Sequence, residues 1–134
     1  MNIRFGILSF AIFIILFSQT NATYFYVSGE VRCKEEPYFG AKIMLMEEDA
    51  FDPDDLLGEE RSAQNGLFAV EGGESEIGDE EPYLLIDHTC PQEEIEYNPA
   101  CRFVTRVELP NFLTHIIVPP INLDGEWDIE HICL

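Results

Sequence analysis

Five carboxylates fall within residues 48–55 (Glu48, Asp49, Asp52, Asp54 and Asp55), with Pro53 among them. Hard cations take several oxygen ligands, so calcium is the first chemistry to weigh. Counted from Asp49 on the EF-hand spacing, Glu60 falls at the bidentate position, but two ligand positions are Phe51 and Pro53, and Asp54 replaces the turn glycine. The run is therefore read as a solvated turn whose Asp side chains cap backbone amides. No metal is assigned to it. Asp52, Asp54 and Asp55 are instead candidate contacts for a protein partner. A second acidic run, residues 71–81 with Gly72, Gly73 and Gly78, reads as an exposed, mobile loop.

His88, His115 and His131 are candidate bases or ligands. No His-Glu-x-x-His helix and no Gly-x-Ser-x-Gly elbow accompanies them. His88 reads as a strand-end residue satisfied by a hydrogen bond, and Trp127 as the edge of a core. No cofactor is expected. Cys33, Cys90, Cys101 and Cys133 complete the reactive inventory. None of them shows the Cys-x₂₋₄-Cys spacing of a structural zinc site, and His88-x-Cys90 has no second pair to close a tetrahedron. In an exported chain an even cysteine count reads as disulfides, and four cysteines allow three pairings. The short polar stretch 91–100 favours Cys90–Cys101, which leaves Cys33–Cys133.

Export is what the first 22 residues predict. Arg4 is followed by an apolar run over residues 5–17 and then by Ser18, Gln19, Thr20 and Asn21. That run is shorter than the roughly 20 residues a bilayer span needs, and it fits a cleaved secretory signal. Residues 1–22 are thus expected to be a signal peptide and residues 23–134 one domain, secreted to the extracellular space or cell surface. The Asn21-Ala22-Thr23 sequon is cut by that cleavage, so no N-glycan is expected.

The chain has 134 residues, with 7 Lys and Arg against 26 Asp and Glu, a formal charge of −19. Loss of 22 residues including Arg4 leaves 112 residues and takes that charge to −20. A nucleic-acid backbone demands clustered cations, so nucleic acid is excluded as a partner, as is a polybasic contact with anionic lipid. A hydrophobic content of 46% excludes a disordered acidic tail.

The elements that must hold these residues are strands. Residues 24–33 alternate, with Phe25, Val27, Gly29, Val31 and Cys33 on one face and Tyr24, Tyr26, Ser28, Glu30 and Arg32 on the other. Residues 41–47 repeat the pattern through Ile43 and Leu45. Short strands are predicted at 59–63 and 67–71, joined through Asn65-Gly66, the strongest local hairpin cue. Further strands are predicted at 82–89, 101–109, 115–118 and 121–123, with a bend at Pro119-Pro120. Seven or eight short strands predict an all-β, antiparallel two-sheet sandwich stabilised by disulfides.

The segment Val27-Ser28-Gly29-Glu30-Val31-Arg32-Cys33 resembles the opening of the nematode transthyretin-like family. Similar motifs follow in the family's order: Asp52-Pro53-Asp54-Asp55-Leu56-Leu57, Asn65-Gly66-Leu67-Phe68, Pro82-Tyr83-Leu84-Leu85-Ile86, His88-Thr89-Cys90 and Cys101-Arg102. Thr89 departs from the acidic residue usual there, and Phe103 from a basic one. The resemblance implies a transthyretin-like sandwich and secretion. The hydrolase branch related to transthyretin ends in Tyr-Arg-Gly-Ser, whereas this chain ends His131-Ile132-Cys133-Leu134. The expected function is a non-catalytic extracellular binding module whose protein partner carries a basic surface. The alternatives are a carrier of a small apolar ligand and, more weakly, a hydrolase.

Overall fold

In the computed structural model, which describes residues 22–75 and 81–134, alternating apolar residues set the strands and therefore the layers. Ten strands occur among the described residues: β1 (Ala22–Cys33), β2 (Glu36–Pro37), β3 (Lys42–Glu47), β4 (Asp55–Arg61), β5 (Leu67–Ser75), β6 (Pro82–His88), β7 (Cys101–Glu108), β8 (His115–Ile117), β9 (Ile121–Asn122) and β10 (Asp128–Cys133). The first sheet runs β2-β1-β5, with β8 and β9 also paired to β1; the second runs β10-β7-β6-β3-β4. Pairing is antiparallel except where β8 and β9 lie parallel to β1. No helix among the described residues is long and apolar enough to cross a membrane. All but Ala22 of the expected signal segment lies outside the described residues.

The core lies between the sheets. Phe25, Val27 and Val31 of β1, with Phe68 and Val70 of β5, meet Ile43 and Leu45 of β3 and Leu84 and Ile86 of β6. On β1 and β3 these are the inward residues that strict alternation predicts, because a one-residue slip would turn the whole apolar set to water.

One side of the sandwich is closed by backbone contact. A Cβ built on Gly58 of β4 would lie 2.1 Å from the Glu71 carbonyl oxygen, and one on Gly72 of β5 2.0 Å from that of Leu57. Two strands of different sheets touch there, and only glycine permits it. The ladder between β3 and β4 slips beside this contact, between Leu45 and Met46. The tight turn expected at Asn65-Gly66 is present: Gly66 has φ 80°, and the Ala63 N–H donates to the Leu67 carbonyl at 2.9 Å. The strands on either side of it do not pair as a hairpin, however; β4 joins the second sheet and β5 the first.

Two further expectations need correction. The second acidic run is not all loop, because β5 continues to Ser75 opposite the start of β1, with Ala22 facing Ser75 and Tyr26 facing Glu71. The long ladder with β1 carries it past Gly72 and Gly73; residues 76–80 lie outside the described residues. The disulfides are Cys33–Cys90 and Cys101–Cys133, not Cys90–Cys101 and Cys33–Cys133. Cys101 opens β7 and Cys133 closes β10 as register partners, so the ladder itself brings them together. That leaves Cys33, at the end of β1, to meet Cys90 just beyond β6 and tie sheet to sheet, with Cα atoms 5.8 Å apart.

Candidate functional site

The acidic loop that follows β3 is held by residues of the second sheet's outer face. Tyr83 and Met46 face each other across β6 and β3, and Tyr83 faces Glu108 across β7. The Arg106 guanidinium lies 3.7 Å from the centre of the Tyr83 ring, where the negative face of the ring attracts a cation. Its Nη2 pairs with Glu48 at 3.2 Å and its Nε with Glu108 at 2.5 Å. The Tyr83 hydroxyl donates to Asp54 Oδ2. Burial, and then the hydrogen bond to Asp54, push the Tyr83 phenol up to about 12. The same hydrogen bond holds the Asp54 carboxyl below its ordinary range. Within the loop, Asp54 Oδ1 accepts the Asp49 N–H at 3.3 Å and Asp49 Oδ1 accepts the Phe51 N–H at 3.1 Å.

The three acids singled out from the sequence therefore have different tasks. Asp54 is committed to Tyr83 and to the Asp49 amide, so it shapes the loop. Asp52 is exposed, and Asp55 is half-buried as the first residue of β4. The residue missed by charge counting is Phe51, 96% exposed at the loop's tip between these acids. Arg106 was missed as well. Its signal is available in the pattern: an outward position on β7, in a chain with few cations, at the end of the sheet that carries the loop.

The histidines are dispersed. His88 is 3% exposed and sits beside the Cys33–Cys90 bridge. Its Nδ1 accepts the Cys90 N–H at 3.1 Å, so the proton resides on Nε2, which donates to Thr105 Oγ1 at 2.8 Å. This is the strand-end histidine satisfied by hydrogen bonds that the sequence led us to expect. The His88–Thr105 pair has the spacing of a base and a nucleophile, yet Thr105 is 0% exposed, packed away from the surface. His115 stacks on Tyr26 with ring centres 4.7 Å apart, and His131 stacks on Phe103 at 5.0 Å. His131 also lies 3.3 Å from Cys133 Sγ, grouped with Cys101, but both sulfurs are spent in a disulfide and lack the thiolate a metal would need.

Burial pushes His88 down to about 4, partly opposed by the Asp87 carboxylate. Between pH 6.5 and 4 the unfolded chain thus takes up a proton that the folded chain refuses. The stability this residue contributes is complete above 6.5 and falls by about 3 kcal/mol as the pH drops to 4. Urea titrations at pH 7 and pH 4.5 are expected to show most of that loss in the wild type and not in His88→Gln. Taking the difference between the two proteins removes the effect of the many carboxylates. Equal slopes would place a charged or solvated imidazole at this position.

Two sheets packed face to face, two disulfides and a loop anchored on the second sheet define an all-β sandwich. The family model of the transthyretin-like family matches residues 28–110, and the chain belongs to that family. Three Caenorhabditis elegans proteins are similar to it. Transthyretin-like protein 16 is 31% identical over 81% of this chain and 72% of its own length. Transthyretin-like protein 2 is 30% identical over 66% of this chain and 62% of its own, and transthyretin-like protein 1 is 34% identical over 66% and 58%. The chain thus spans less than two thirds of the latter two relatives. Among solved structures, a 9R-lipoxygenase from Cyanothece matches with a TM-score of 0.52 at 12% identity, over 76% of this chain and 17% of that one. At such identity the likeness is one of fold.

Proposed function

We propose that the chain is an exported, non-catalytic interaction module that engages an extracellular protein through the loop 48–55. Export rests on the short basic-then-apolar start and on four cysteines that all find partners. The observation that carries the loop reading is Phe51. A large aromatic left in water at the tip of a loop clamped by Arg106, Tyr83 and Asp54 is an anchor whose backbone is already held in place, so less chain order is lost on binding. The surrounding carboxylates specify the partner as a basic surface with an apolar recess, and the field of the strongly acidic exported chain accelerates the encounter.

The test uses the wild type and Phe51→Ala/Asp52→Asn as baits for extracellular proteins of the source organism. A basic partner is expected to be retained by the wild type at 50 mM salt, released toward 500 mM, and lost from the variant by about tenfold or more. Asp54 is left intact because its removal would unclasp the loop. A partner held equally by both baits and indifferent to salt would move recognition elsewhere on the molecule.

A carrier function for a small apolar ligand is the second reading, and one observation favours it. The side of the sandwich opposite the Gly58–Gly72 contact is open, and an apolar cavity of about 410 Å³ lies there. That volume falls within the range of small-molecule sites.

A further inference from the structure

The wall of this cavity is continuous with the core. Val107 of β7, Ile116 of β8 and Ile121 of β9 are buried core residues from both sheets, and Leu113, Val118 and Trp127 extend the lining to the surface. Trp127 is fixed as part of the wall, since its Nε1–H donates to the Asn122 carbonyl at 2.6 Å. Pro119 and Pro120 line the cavity as well. At the mouth, Ile117 is 86% exposed, an apolar side chain left in water at the entrance to an apolar space. Among the lining residues no side chain is cationic, and Glu108, already bound to Arg106, is the one acid.

From this geometry we infer that the cavity binds a small, uncharged apolar molecule and selects against anions such as fatty acids. The inference rests on the carrier reading and adds the ligand's chemical class. The affinity comes from withdrawing an apolar body from water against core-type side chains. The selectivity comes from charge. A carboxylate or sulfonate entering here finds no counter-ion among the lining residues and stands in the field of a strongly acidic chain, a potential of several kT. A neutral molecule is indifferent to that field.

A matched pair of probes separates these points: N-phenyl-1-naphthylamine, which is neutral, and 1-anilinonaphthalene-8-sulfonate, the same body with a negative charge. The protein has one tryptophan, Trp127, in the wall of this cavity, so its emission reports binding at or near it, and a change at the rim localises that binding. In the disulfide-intact protein the neutral probe is expected to saturate at one per chain and quench Trp127. The anionic probe is expected to bind about tenfold or more weakly at low salt, with the gap narrowing as salt screens the field. Leu113→Glu, a change at the half-exposed rim, is expected to weaken the neutral probe while leaving the melting temperature near that of the wild type. No saturable binding of either probe would overturn the carrier reading itself. Equal affinities would leave the carrier standing and overturn the ligand class. Binding that leaves Trp127 emission unchanged would overturn the assignment to this cavity. Binding that disappears as protein concentration rises, together with a dimer in sedimentation, would give the cavity to a second copy of the chain.

Discussion

Gly58→Ala and Gly72→Ala are each expected to remove about 3 kcal/mol of folding stability, because a methyl group has nowhere to go. At these positions the new carbon would lie 2.1 and 2.0 Å from a backbone carbonyl oxygen of the other sheet, Glu71 for Gly58 and Leu57 for Gly72. A flexible side chain could swing aside from such a clash, but a carbonyl fixed in a ladder cannot. The sheets must part along that side, and the inward residues of β5, Phe68 and Val70, lose contact with those of β3. Gly40 is the internal control. It adopts φ 83° with open space around its α-carbon, so Gly40→Ala meets only the left-handed backbone cost of about 1 kcal/mol. Urea unfolding of the three variants is expected to order them in this way. Melting of Gly58→Ala and Gly72→Ala together with the wild type would mean that the two backbones are not in contact.

Replacing both Cys33 and Cys90 by alanine is expected to cost about 4 kcal/mol. The bridge closes a chain separation of 57 residues, and the chain-entropy model places such a loop between about 3 and 4.7 kcal/mol. Cys90 is also wholly buried, so its sulfur is lost from the core as well as from the crosslink. Domains of this size hold about 5–15 kcal/mol in total, so the loss is a large share of what keeps the sheets together. The Cys101–Cys133 bridge works differently. It staples the edge strand β10 to β7, and removing it is expected to appear first as faster amide exchange in β10. Non-reducing peptide mapping is expected to recover Cys33 with Cys90 and Cys101 with Cys133. Recovery of Cys90 joined to Cys101 would overturn the topology that brings β10 beside β7.

Local pattern was sufficient for much of this protein. The inward faces of β1 and β3 were legible because side chains alternate with a period of two, and only one phase buries Phe25 and Ile43. His88 was legible as a satisfied residue from its place at a strand end. The turn at Asn65-Gly66 was legible too, since both residue types tolerate positive φ.

What the turn connects was not legible, because turn chemistry fixes the reversal of the chain and not the sheet each arm will join. The tertiary structure sends β4 and β5 to opposite sheets there, and it makes its two-residue hairpin at Lys34-Glu35 instead. Those residues have φ 50° and 70°, which nothing in their types favours; the pairing of Cys33 with Glu36 and an Asp124 carboxylate accepting the Lys34 N–H at 3.0 Å hold them there. The disulfide pairing belongs to the same class. It follows from β10, a strand of mostly exposed residues without an apolar alternation to announce it, and ladder register then brings Cys133 to Cys101. The loop at residues 48–55 shows the division within one site. Its charge was countable along the chain, but the clasp on Asp54 and the exposure of Phe51 depend on Tyr83 and Arg106, residues 29 positions and more away that only the folded second sheet places beneath it.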